Sequence, residues 1–119
     1  MISYTGLTVA RVTLYNDGTM QMLTVVETTS FQRDAATIWS SEEREEFINW
    51  IATNSQAGDV IPGAEGARKI RWKKAGSGKR GGTRVVYVNF LPEGFLLLIA
   101  IYAKSERENL TAKAIQQKR

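Results

Sequence analysis

The sequence predicts an α+β fold: a small antiparallel sheet, two N-terminal helices packed on one of its faces, and a short C-terminal helix. Three observations predict it. The segment "TTSFQRDAATIWSSEEREEFINWIATN" carries apolar residues at helical spacing. Farther on, "ARKIRWKK", "TRVVYVNF" and "FLLLIAIYA" are strand-like runs separated by glycine-rich or "LPEG" turns. With 119 residues and 43% hydrophobic content, the chain can fill one core and makes one domain.

Taken in order, "VTLYNDGTMQM" places a hairpin-turn signal, "NDG", between two strands near Thr8–Tyr15 and Met20–Glu27. Met20 and Met22 are alternative starts, which would make the residues before them an extension. Thr29 or Ser30 is positioned to cap the first helix. Ser40 followed by Glu43 has the spacing of a capping box for the second. In that second helix Phe47, Ile48, Trp50 and Ile51 form the apolar stripe. Glu42, Glu43, Glu45 and Glu46 crowd its first turns, where the helix dipole favours negative charge. "NSQAGDVIPGAEGA" reads as a loop. In "ARKIRWKK", Ile70 and Trp72 alternate with Lys69, Arg71 and Lys73, so one face is apolar and the other basic. "FLLLIAIYA" fits a central strand buried on both faces. The tail enters a short helix from about Thr111.

The chain has no Cys and no His. Disulfides, thiolate zinc sites and a Cys nucleophile are excluded, and so are the commonest metal ligand and the commonest general base. Any catalysis must come from Lys, Arg, Tyr, Ser, Thr, Asp or Glu. The longest apolar run, Phe95–Ala103, is too short to span a bilayer, and the first residues lack the pattern of a secretory signal, so a cytoplasmic location with no membrane partner is expected.

The net charge of +4 is unevenly spread. Eight Lys or Arg lie between Ala67 and Arg84, and no Asp or Glu occurs from Gly66 to Pro92. Arg68, Lys69, Arg71, Lys73 and Lys74 lie on one arm. Lys79 and Arg80 sit in the bend "AGSGKRGG", and Arg84 opens the second arm. Such a surface suits a phosphate backbone. The plainer alternative is a solvated sheet edge on which lysines discourage aggregation. "GSGKRGG" lacks the G-x-x-x-x-G-K-[ST] spacing and no helix follows it, so it is not read as a nucleotide-binding loop. Trp39, Trp50 and Trp72 sit in apolar patterns that favour core packing over base stacking. The acidic helix face reads first as a solvated surface, and secondarily as a docking aid for a partner.

Three pieces, "GDVIPGAEGARKIRW", "GKRGGTRVVYV" and "IYAKSERENLT", in this order and spacing, closely resemble the RelE/HigB superfamily of bacterial type II toxins, in particular the HigB-like branch. The resemblance covers about Leu23 to Lys118. Residues 1–22 lie outside it, as an N-terminal extension or an extra strand, and 23–119 form the toxin-like domain. It implies a RelE-like microbial ribonuclease fold without metal or other cofactor. It also implies cleavage of translated mRNA, mostly in the ribosomal A site, and neutralisation by a cognate antitoxin, usually a helix-turn-helix HigA-like protein. In this chemistry the RNA 2′-OH attacks the adjacent phosphate and leaves a 2′,3′-cyclic phosphate. A base, charge stabilisation of the phosphorane and an acid for the leaving 5′-oxygen are needed. A dense Lys/Arg cluster fits a site without His. Neighbouring cations lower a lysine's pKa, and arginine clamps phosphate oxygens with paired donors.

Carried over by position, Lys69 and Arg71 match the family's basic pair on the second sheet strand. Arg84 matches the phosphate-stabilising arginine, and Lys104 falls in the basic motif after the last strand. These four are the expected catalytic residues. Arg84 is assigned charge stabilisation, and Lys69 or Arg71 proton transfer, with Lys104 in support. Arg68, Lys73, Lys74, Lys79, Arg80 and Arg107 are expected to hold RNA. Two positions depart from the family. Ser105 stands where RelE-type members often have Arg, and Thr111 falls near the position of their tail tyrosine. Lys104, Glu106 or Arg107 would then take over, or the acid–base work is distributed differently. Tyr87 and Tyr102 are further candidates whose strand patterns equally suit the core. Two other classes stay open: a nucleic-acid-binding domain that has lost cleavage, and a protein-interaction domain whose basic hairpin meets an acidic partner.

Overall fold

The computed structural model describes residues 3–4, 7–16, 19–72, 82–90, 93–103 and 115, with side chains from Thr24 onward. The α+β class is observed. Five long strands form the sheet: β2 (Leu7–Asn16), β3 (Thr19–Thr28), β5 (Ala67–Trp72), β6 (Thr83–Phe90) and β7 (Phe95–Ala103). Two-residue strands, β1 (Ser3–Tyr4) and β4 (Asp59–Val60), lie at its edges. Among the described residues the order is β1-β2-β3-β7-β6-β5-β4. The helices α1 (Thr29–Ile38) and α2 (Ser41–Thr53) follow β3.

β2 and β3 pair antiparallel from Leu7↔Thr28 to Asn16↔Thr19, on either side of the predicted turn, whose Asp17 and Gly18 lie outside the described residues. The pairing of β3 with β7 corrects the expectation of an antiparallel sheet. These strands run parallel, Thr24 opposite Phe95 and Glu27 opposite Leu98, so the sheet is mixed. A parallel pair needs a long crossover, and here both helices and three strands intervene. β7 lies between β3 and β6, and Leu96, Leu98, Ile99, Ala100 and Ile101 along it are buried. A bulge between Val86 and Tyr87 shifts the β6–β7 register, so Val86 opposes Ala100 while Tyr87 opposes Leu98.

The first cap lies one residue earlier than Thr29. The Thr28 hydroxyl accepts from the Phe31 N–H at 3.1 Å and donates to the Ile99 carbonyl at 3.2 Å, tying the helix start to β7. The capping box of α2 is formed as its spacing predicts. Ser40 Oγ accepts from the Glu43 N–H, and Glu43 Oε1 accepts from the Ser40 N–H, both at 3.2 Å.

Both helices cover one face of the sheet. Phe31, Ala35, Phe47, Ile51 and Ala52 pack there with Val25, Ile70, Val85, Tyr87, Leu96 and Leu98. The opposite face carries a second apolar cluster: Ala64, Ala67, Val86, Val88, Ile99, Ala100, Tyr102 and Ile115. Ile115 is helical. The rest of the expected tail helix lies outside the described residues. No helix among the described residues is long and apolar enough to cross a membrane.

Candidate functional site

β5 alternates as its sequence predicts. Ile70 and Trp72 turn to the helix side, and Lys69 and Arg71 to the other face. The antiparallel partner β6 then fixes what they meet. Arg71 lies directly opposite Arg84, and Arg84 lies opposite Tyr102 on β7. Arg71, Arg84 and Tyr102 thus make one row across three strands. Lys69 stands in the next row, opposite Val86. Gly82, at φ +65°, takes the left-handed bend from which β6 departs two residues before Arg84. Arg71 is exposed, whereas Lys69 and Arg84 are half-buried. Three of the four expected catalytic residues therefore converge on one face. They border the apolar floor of Val86, Ala100, Tyr102 and Ile115, which lowers the local dielectric and strengthens their field.

Arg68 stands apart from this group. It lies opposite Tyr87, on the helix side, and its guanidinium donates to the Gly58 carbonyl at 2.8 Å and the Gln56 carbonyl at 3.3 Å. It anchors the loop before β4. Lys73, Lys74, Lys79, Arg80, Lys104 and Arg107 lie outside the described residues, as do Ser105 and Thr111.

The two tyrosines separate. Tyr102 is buried beside Arg84 on the basic face. Tyr87 is buried on the helix side, where its hydroxyl accepts from the Gly58 N–H at 2.8 Å. A Cβ at Gly58 would come within 2.8 Å of that hydroxyl, so only glycine fits there. Burial pushes the Tyr87 phenol above its ordinary 10.0, against the lowering effect of the Gly58 hydrogen bond. The folded state therefore holds this proton more tightly than the unfolded chain. Its contribution to stability is complete below about pH 10 and is lost as pH rises beyond that. Tyr87→Phe leaves the Gly58 N–H without its acceptor and is expected to cost about 1–3 kcal/mol. Urea unfolding at about pH 8 and about pH 11 checks both points, because the variant should also lose part of the alkaline decline.

The tryptophans pack with the core, as their patterns predict, Trp39 buried and Trp50 and Trp72 partly buried against it. Phe47 is the hub, with ring centroids 5.1 Å from Trp39, 6.3 Å from Trp50 and 5.3 Å from Trp72. Two acidic residues have placements the sequence did not reveal. Glu27 is 2% exposed and takes a two-pronged bond from Arg44 at 2.7 Å. Asp59 lies directly opposite Lys69. A strand as short as β4 has too little alternation to be read from sequence.

No family model matches this chain. What the site can do follows from its own residues. Three cations on one sheet face, flanked by an apolar floor and a buried tyrosine, can bind a phosphodiester and stabilise negative charge developing on it.

Proposed function

We propose that this chain is a metal-independent endoribonuclease resembling the RelE/HigB toxins, the toxin half of a type II toxin–antitoxin pair that cuts translated mRNA in the ribosomal A site. The observation that supports it most is the Arg71–Arg84 pair. Like charges directly opposite in a sheet are destabilising, and Lys69 adds a third cation in the neighbouring row. A polyanion on this face offsets that repulsion.

In this reading Arg84 and Arg71 clamp the non-bridging oxygens of the scissile phosphate and stabilise the phosphorane. The 2′-oxygen bonds to phosphorus, the bond to the 5′-oxygen breaks, and a 2′,3′-cyclic phosphate and a 5′-hydroxyl result. The proton leaves the 2′-OH for a base and reaches the 5′-oxygen from an acid, with Lys69 or Arg71 assigned proton transfer and Lys104 in support. The protein acts in the cytoplasm, and a HigA-like antitoxin meets the cationic row with acidic residues.

Expression in a bacterium without the antitoxin tests this. The wild type should arrest growth, and Arg84→Ala should relieve the arrest by lowering cleavage about 10²–10³-fold, as expected for loss of one transition-state donor. The departures at Ser105 and Thr111 favour one rival, a binding domain that has lost cleavage. Unimpaired growth with soluble wild-type protein would favour that rival.

A further inference from the structure

The two long sides of β2 are used unequally. β3 pairs with it along its whole length, from Leu7 to Asn16. On the other side β1 meets only Leu7 and Thr8. Among the described residues no strand lies beyond Val9–Asn16. An edge of this length offers a row of backbone N–H and C=O groups to another strand, and natural edges are usually blunted by brevity, bulges, Lys or Pro. The segment "VARVTLYN" has no Lys, no Pro, no Asp or Glu and one Arg, and its register with β3 runs without a break. Val, Thr and Tyr are residues that favour strands. The opposite edge of the sheet is blunted, because β4 has only two residues.

Charge and symmetry both fit a second copy of this chain at that edge. Each chain carries +4, and Lys69, Arg71 and Arg84 lie on β5 and β6. β6 is three strands from β2, so in a β2-to-β2 pair three spacings in each copy and one between them separate the two Arg84 residues. At about 4.8 Å each that is roughly 34 Å, several times a Debye length of about 8–10 Å. Pairing through the β4 edge would set the two β5 strands, each with Lys69 and Arg71, only about 14 Å apart. A two-fold antiparallel pair places one residue of β2 against its own copy and the others symmetrically about it. With Val12 on the axis, Val9 faces Tyr15, Ala10 faces Leu14 and Arg11 faces Thr13. With Thr13 on the axis, Ala10 faces Asn16, Arg11 faces Tyr15 and Val12 faces Leu14. These two registers use the edge most fully. Both keep Arg11, the one charge, away from its own copy, where it would be destabilising.

We propose that β2 is a self-association edge: two copies of this chain pair antiparallel through Val9–Asn16, about a two-fold axis at Val12 or Thr13, and join their sheets into one. The inference does not depend on the ribonuclease reading. β2 precedes the segment from Leu23 that carries the family resemblance, and the pairing leaves the cationic rows at the two far ends of the joined sheet.

The chain has no Cys, so single cysteines report the pairing without background. Residues opposed across an antiparallel pair have Cα atoms about 4.5–5.5 Å apart, which a disulfide can span. Residues three places from the axis lie about 20 Å from their copies, which it cannot. The test oxidises full-length Val9→Cys, Val12→Cys, Thr13→Cys and Asn16→Cys and follows the linked dimer on a non-reducing gel. Position 12 or 13 should link at least about tenfold faster than positions 9 and 16. Sedimentation equilibrium of the wild type should approach twice the single-chain mass as concentration rises. Thr13→Lys sets a lysine against Arg11 in one register and against itself in the other, so it should weaken association about tenfold with an unchanged circular dichroism spectrum. A wild type with the single-chain mass at every concentration would overturn the inference, even if it takes up a strand from a different protein. Equal linking at all four positions, or fastest linking at position 9 or 16, would overturn it too. So would a folded Thr13→Lys that associates as tightly as the wild type. If Thr13→Lys does not fold, the cysteine series decides.

Discussion

Replacing Arg44 by methionine is expected to destabilise the fold by about 3–5 kcal/mol. Arg44 comes from the acidic first turns of α2, but it turns inward. Its Nε and one Nη each donate to a Glu27 oxygen at 2.7 Å, with Glu27 2% and Arg44 31% exposed. The Glu27 hydrogen bonds push the Arg44 pKa upward, against the lowering effect of burial, so the guanidinium stays charged at any working pH. Glu27 lies on β3 between β2 and β7 and is almost fully buried, with Arg44 as its countercharge. Arg44→Met thus leaves a buried carboxylate without a countercharge, which accounts for the size of the loss. The pair itself is worth much less than this figure, because forming it required desolvating both groups. The double variant Glu27→Leu/Arg44→Met should therefore recover most of the lost stability. Urea unfolding of the two single variants and the double variant closes the cycle. Equal loss in the single and double variants would show that the salt bridge, rather than the stranded charge, carries the stability.

Phe47→Ala is expected to lose a similar amount, about 3–5 kcal/mol. The Phe47 side chain is fully buried between the helices and the sheet, and its ring touches Trp39, Trp50 and Trp72. Trp72 ends β5 and Trp50 lies on α2, 5.0 Å apart by ring centroid, so this cluster fastens α2 to the strand that carries Lys69 and Arg71. Truncation removes the transfer energy of the ring and leaves a cavity that three rigid indoles cannot easily fill. Single domains have about 5–15 kcal/mol of stability in total, so the variant should be close to unfolding at growth temperature. Guanidinium unfolding followed by Trp fluorescence measures the loss. Phe47→Leu, which keeps more of the volume, should cost less.

How far the sequence could be read depended on the range of the interactions. The Ser40–Glu43 capping box, the pairing of the two strands around "NDG" and the alternation of Ile70 and Trp72 against Lys69 and Arg71 are local patterns, and each is present as expected. From that alternation, the convergence of Lys69, Arg71 and Arg84 on one face was also legible. The misses are contacts between residues distant in the chain. Thr28, Thr29 and Ser30 all have a capping hydroxyl, and the bond to the Ile99 carbonyl favours Thr28. Arg44 among four glutamates looks like a solvated charge until β3 brings Glu27 beneath it. Nothing local says that β3 and β7 run parallel. Arg68 reads as one more cation of the basic hairpin, yet strand pairing puts it on the opposite face, bound to the loop before β4. The pairing of Asp59 with Lys69 depends on that same loop being folded back.

The proposal that the face carrying Lys69, Arg71 and Arg84 cuts mRNA has a direct test. Primer extension on a translated mRNA incubated with the purified protein, with and without ribosomes, tests it most directly. Cuts at codon-phased positions that require ribosomes and disappear with Arg84→Ala are expected. RNA that stays intact under both conditions while still binding the folded wild-type protein would contradict it.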